Sequence, residues 1–229
     1  MAVSSPINAQ VEQTYKLHFA LIEPMHCLTP GLFRSLKKGD RKKQKLEIKH
    51  EFSKGKKIEF YGPEPLGVDD LRVLQGLVAI AGYNKNTDYI TSETKSDIGI
   101  SLRKNISVNN QLVDEDLSVA KGSFRELAKE IGYKQTERTK LIQQSVERLC
   151  KVTVILESDK KRIMSRLISS YASDCVTGKL YTALNPFMTK VIFGEAPHTR
   201  IDMNEVRVLK TPVRFKESST YSFLTTLKT

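Results

Sequence analysis

Tryptophan is absent from this 229-residue chain, cysteine occurs three times, histidine four times, and aromatic residues make up only 7%. Each scarcity excludes something. Cys27, Cys150 and Cys175 are odd in number and far apart, which argues against a disulfide framework and for a reducing compartment. His18, His26, His50 and His198 never form the paired motif of a metal-dependent DNA-nicking site. His26 and Cys27 are adjacent but lack a second pair at ligand spacing, so a partly buried pair beside a Pro-Gly turn is expected there. No stretch nears the ~18 consecutive apolar residues of a membrane span, and the longest, "LVAIAG", is far shorter. No positive n-region followed by an apolar h-region opens the chain, so no secretory signal is expected. A Gly-x-x-x-x-Gly-Lys-Ser/Thr loop is also missing, which removes ATP-driven unwinding through that cradle. The expectation is a soluble, cytoplasmic protein that is not an enzyme and uses no metal, cofactor or small-molecule substrate.

Positive charge is what the chain has in excess. The formal net charge is +11, and between Arg34 and Lys57 eleven Lys/Arg oppose only Asp40, Glu47 and Glu51. Such a cluster attracts polyanions. A lipid-binding helix would set bulky apolar residues at helical spacing opposite the charges. "KKGDRKKQKLEIKHEF" instead offers a Gly-Asp turn and then alternation, which favours nucleic acid over membrane.

Period-two alternation of Leu46, Ile48, His50 and Phe52, a turn near 53–56, and Ile58 with Phe60 predict a β-hairpin, ended by "GPEPLG". Residues 69–81 predict a helix with Leu71, Leu74, Leu77, Val78 and Ala81 on one face and Gly82 at its stop. A strand is expected near 98–108. Ser123 caps a helix carrying Phe124, Leu127, Ala128 and Ile131, and Gly132 ends it. A further helix spans about 136–150, seated by Ile142, Val146, Leu149 and Cys150. Turning 100° per residue puts Lys140, Gln144, Arg148 and Lys151 opposite, with Arg138 and Gln143 on the flanks. "VTVILES", a "DKKR" tip and "IMSRLISSYAS" read as one hairpin over 152–174. "LYTALN" follows as a strand, and Pro186 opens a short helix.

Helix, strand, helix, helix, hairpin is the order of a winged helix. A B-DNA major groove admits one α-helix, so a helix with one apolar side and one polar side can seat itself and read base edges. Gln143 and Gln144 suit bidentate bonding to adenine; Lys160, Lys161 and Arg162 stand where a wing would touch the backbone.

Several longer blocks carry a resemblance: "HCLTPGLFRSLKKGDRKKQKL", "KKIEFYGPEPLGVDDLRVLQGLVAIAG", "KGSFRELAKEIG", "IQQSVERLCKV", "YASDCVTGKLYTALNP" and "DMNEVRVL". In this order, from Met25 to Leu209, the chain resembles the RepC replication initiators of IncQ-type broad-host-range plasmids. The resemblance implies two winged-helix domains and binding to direct repeats (iterons) at the plasmid's vegetative origin. It further implies opening of nearby A·T-rich DNA, loading of the plasmid's own helicase, and a plasmid primase acting afterwards. After about Leu209, "KTPVRFKESSTYSFLTTLKT" departs from that pattern, as a truncated or frameshifted product would, and such a form is expected to have reduced activity.

The fold class expected is therefore α+β. Residues 1–57 form an extension with the basic segment and hairpin, 58–185 a winged helix-turn-helix domain, and 186–229 a helix and the stub of a second domain. Arg34, Lys37, Lys38, Arg41, Lys42 and Lys43 are expected on phosphates. Arg138, Lys140, Gln143 and Gln144 are expected in the groove, and Lys160, Lys161 and Arg162 on the flanking backbone. Two alternatives stay open: a transcriptional regulator at an operator, and a dimerisation module in which the charge is incidental.

Overall fold

The computed structural model describes residues 16–83, 89–90, 95–97, 99–102, 117–133, 139–174 and 176–208. Strand β1 (Phe19–Ile22) lies antiparallel to β12 (Thr199–Asp202), joining the two ends of the described chain. Helix α1 (Pro24–Leu28) starts on Pro24 and is capped by Glu23, whose carboxylate accepts the His26 backbone N–H at 2.9 Å and also bonds the His26 ring. Burial would raise the Glu23 carboxyl, but the His26 ring and amide outweigh it and hold it below its ordinary value. The Pro-Gly turn forms as expected: Leu32 N–H donates to Thr29 O at 3.2 Å, and Gly31 has φ +80. Glycine suits that left-handed position. Strand β2 (Phe33–Arg34) runs parallel to β5 (Leu66–Gly67), and α2 (Asp40–Lys43) is a single turn entered through Gly39.

Alternation then builds β3 (Leu46–Ser53) and β4 (Lys56–Gly62), turning at Lys54-Gly55. Strand β4 also pairs with β8 (Thr153–Ser158), which pairs with β9 (Lys161–Arg166), so two hairpins distant in sequence form one antiparallel sheet, β3-β4-β8-β9. Ile58, Phe60 and Val154 are buried on its inner face. A boundary at 57/58 would cut β4, so the basic extension is continuous with the hairpin sheet.

Helix α3 (Val68–Tyr83) is longer than its sequence signal, running through Gly82. Its burial is not confined to the predicted stripe: Val73, Ala79 and Ile80 are buried along with Leu74, Leu77, Val78 and Ala81. This is the central helix, covered on nearly every side. Helix α4 (Phe124–Glu130) begins where Ser123 Oγ accepts the Glu126 N–H at 3.0 Å and ends at Gly132, φ +82. Gly76 of α3 lets α4 come close, since a Cβ there would stand 2.4 Å from Ile131 Cγ2. Helix α5 (Thr139–Lys151) follows.

Two expectations need correction. Residues 99–102 are helical, with Leu102 buried, where a strand near 98–108 was expected; 103–116 lie outside the described residues. The strand preceding the helix pair is β7 (Leu117–Ser123), which pairs with β6 (Tyr89–Ile90) and β11 (Lys179–Leu184) rather than with β8 or β9. The returning arm of the expected hairpin is also two strands. At Leu167, fully buried, the chain leaves β9 and enters β10 (Ile168–Ser173), which pairs with β11. The break is satisfied locally: Leu167 N–H donates to Val152 O at 2.9 Å, and Asn185 Nδ2 donates to Leu167 O at 3.0 Å. Asn185 Oδ1 meanwhile caps α6 (Pro186–Ile192) through the Met188 N–H at 2.8 Å. The last described helix is α7 (Met203–Val208), whose Arg207 is tied to Glu130 at 3.3 Å. One buried apolar cluster takes residues from Leu17 to Val206.

Candidate nucleic-acid interface

Helix α5 is seated by Ile142, Val146 and Leu149, all essentially without exposure. Lys140, Leu141, Gln144 and Lys151 are exposed. Gln143 is half-buried and donates to Glu147 Oε1 at 3.1 Å, which also accepts the Tyr171 hydroxyl at 3.1 Å. Desolvation, and then Glu147, push the Tyr171 phenol up to about 12. Burial likewise pushes the Cys150 thiol up to about 12. Arg138 lies outside the described residues.

Arg148 departs from the expected wet side. Its Nε and Nη2 donate to Asp70 Oδ1 at 3.0 and 2.9 Å, and Nη2 also reaches Ser145 Oγ at 2.8 Å. Asp70, 0% exposed at the start of α3, accepts the Gly67 N–H at 2.7 Å and Arg41 Nη2 at 2.9 Å on Oδ2. One buried carboxylate thus carries two guanidinium groups, from α2 and from α5. A helical wheel weighs only polarity, so it assigns a long cation on a flank to solvent. The acid that draws it inward lies 78 residues away in sequence.

The same bridge brings the basic segment to the helix. Lys37, Lys38, Lys42 and Lys43 are exposed on and beside α2, next to the Arg41–Asp70–Arg148 bridge. Arg41 itself is committed to Asp70, with Glu64 at 3.9 Å. Arg34 is exposed and bonded to the Gln44 side chain. In the sequence, the pair Asp69-Asp70 at a helix start is the only signal of this carboxylate.

The hairpin tip is narrower than "DKKR". Asp159-Lys160 makes the turn, and Lys161 and Arg162 lie in β9 opposite Ser158 and Glu157. Arg162 bonds Glu157 at 2.6 Å and stands 3.8 Å from Glu59, while Lys57 bonds Glu157 at 2.8 Å. The Lys57 ammonium holds the Glu157 carboxyl below its ordinary value, and Glu157 raises Lys57 in return. Arg162 is therefore one member of a cross-strand charge network on the outer face of the sheet, whereas Lys160 and Lys161 are exposed.

Among the described residues no three His, Cys, Asp or Glu side chains gather as a metal site, and no helix is long and apolar enough to cross a membrane. Against this geometry, the family model of replication protein C (RepC) matches residues 14–220. The chain belongs to the RepC family. The match starts before Met25 and continues past Leu209, which extends the resemblance at both ends. Membership supports a role in replication. No curated protein matches the chain. A crystal structure of domains 2 and 3 of RctB is similar at a TM-score of 0.48 and 12% identity, over 76% of this chain and 62% of that one. A likeness of that strength carries no argument about the RepC chain.

Proposed function

We propose that this RepC-family chain initiates plasmid replication in the bacterial cytoplasm by binding tandem direct repeats at the vegetative origin. It then helps open adjacent A·T-rich DNA and supports loading of a plasmid-encoded helicase, ahead of a primase. In this reading α3, α4, α5 and the β8–β9 hairpin act as a winged helix-turn-helix, widened by β3–β4. Arg138, Lys140, Gln143 and Gln144 meet the groove, with Gln143 releasing Glu147 to do so. Arg34, Lys37, Lys38, Lys42 and Lys43 take phosphates of the duplex, and Lys160 and Lys161 those of the flanking strand on the hairpin side. Arg41 and Arg162 serve the scaffold, because their guanidinium groups are already matched to carboxylates.

The observation that carries the reading is the Arg41–Asp70–Arg148 bridge. It supports a surface on which the lysines of α2 and the exposed side of α5 act on one duplex. Phosphate contacts then hold the protein in register while base contacts specify. The test is selection of bound duplexes from a randomised pool, followed by footprinting. Direct repeats are the expected enrichment, with Gln144→Ala losing about 1–3 kcal/mol of discrimination at one base pair. A selected palindrome would point instead to an operator-binding regulator. No enrichment beside retained self-association would point to an interaction module.

A further inference from the structure

Two turns lie side by side at one end of the hairpin sheet. Lys54-Gly55 joins β3 to β4, Asp159-Lys160 joins β8 to β9, and a Cβ on Gly55 would stand 2.4 Å from Asp159 Oδ1. Lys57 pairs with Glu157, which places Lys56 beside Ser158, and Ser158 pairs with Lys161. With strands roughly 4.8 Å apart, the Lys56 and Lys161 backbones stand about 10 Å from one another. Lys54 and Lys160 occupy the turns themselves. All four lysines are exposed, and none has an ion-pair partner among the described residues. One row back the cations are paired, since Glu157 bonds both Lys57 and Arg162 and Glu59 stands 3.8 Å from Arg162.

An aromatic ring stands at the β3 edge of these tips, two residues before Lys54. The β3–β4 register steps from Glu51↔Lys57 to Ser53↔Lys56, so Phe52 is the inserted residue of a bulge, and it is 41% exposed. Bulges re-aim side chains and often sit beside functional sites. A ring among unpaired cations matches what an unpaired nucleic-acid strand offers: phosphates for the ammonium groups and a base face for the ring. Paired DNA would use the lysines and leave the ring without a partner. A lipid surface calls for several bulky apolar residues, and this tip has one.

We propose that the joined hairpin tips bind single-stranded DNA, with Lys54, Lys56, Lys160 and Lys161 holding phosphates and Phe52 stacking on a base. The inference rests on the reading of the chain as an origin-opening initiator, and it names the product of opening as this site's ligand. Binding to a labelled oligothymidine and to a duplex of equal length, followed by fluorescence anisotropy, tests it. Phe52→Ala is expected to weaken oligothymidine binding about tenfold and leave the duplex unchanged. Replacing the four lysines together by glutamine is expected to flatten the single-strand salt slope by about 3, and replacing them by arginine to preserve it.

The native chain has no tryptophan, so Phe52→Trp adds a sole indole reporter whose emission should be quenched by oligothymidine. An unquenched indole, an equal loss on duplex and single strand in Phe52→Ala, or an unchanged slope in the glutamine variant would each overturn the site. Those outcomes leave repeat selection by α5 intact. Conversely, failure to select repeats, with tip-dependent oligothymidine binding retained, would sink the initiator reading alone.

Discussion

Asp70 shows how much one residue can decide. Its carboxylate is fully buried, yet Gly67 N–H, Arg41 and Arg148 share its two oxygens, so the desolvation cost is offset only while all three donors stay. Removing one partner of a buried pair leaves uncompensated charge, so Asp70→Asn is expected to lower unfolding free energy by about 3–5 kcal/mol, measured in urea. A second residue-scale prediction concerns pH. The folded state holds the Cys150 and Tyr171 protons up to about 12, against ordinary values of 9.0 and 10.0. Between those limits the unfolded chain binds fewer protons than the folded one, so stability must fall as pH rises through that window and level off above it. Denaturation midpoints taken across the alkaline range check the sign. In a background with Cys27 and Cys175 replaced by serine, Cys150 should resist alkylation at pH 8 until the protein unfolds. At this scale the sequence displayed the cations but not their partners. Arg41 and Arg148 are matched to a carboxylate that only the fold brings near, and Arg162 to Glu157 across its own hairpin turn, whereas Lys42, Lys43 and Gln144 are exposed as their local pattern implies.

Elements whose signal is local were legible, and those whose signal is a distant partner were not. Ser123 as a cap, Gly132 as a stop, the Pro30-Gly31 turn and the Lys54-Gly55 hairpin follow from backbone chemistry within a few residues. Nothing local in "FALI" or "TRID" announces that β1 and β12 pair across most of the chain. In "IMSRLISSYAS" the change of sheets at Leu167 shows only as the adjacent apolar pair Leu167-Ile168, both buried, and the residue that absorbs the freed carbonyl, Asn185, lies 18 positions on. The packing of α3 on α4 gives this scale its prediction. Alanine at Gly76 would gain helix propensity, roughly 1 kcal/mol. It would also force its Cβ to 2.4 Å from Ile131 Cγ2 and 2.7 Å from Leu127 Cδ1. Overpacking of a filled core costs typically about 1–3 kcal/mol, so Gly76→Ala is expected to lower the melting temperature despite the better helix former.

Across the whole molecule, the excess charge separates into two kinds of cation. Arg41, Arg148, Lys57, Arg162 and Arg207 are matched to carboxylates and hold elements together. Lys37, Lys38, Lys42 and Lys43 are exposed beside the α2–α5 bridge, Lys140 on α5, and Lys54, Lys56, Lys160 and Lys161 at the hairpin tips. Only the second kind can release counterions from DNA without disturbing the fold. If about six phosphates are neutralised, log affinity should fall with log salt at a slope near −5. Lys42→Gln with Lys43→Gln should flatten that slope by about 2, weakening every duplex alike and leaving the ranking of sequences untouched. Arg41→Gln is the informative contrast, because it removes the same formal charge from the same turn of helix. It should shift the urea midpoint and leave the salt slope nearly as it was, since that guanidinium faces Asp70 rather than solvent phosphate. Equal effects of Arg41 and Lys42 on the slope would mean that the Asp70 bridge opens on DNA and that Arg41 is released to the backbone.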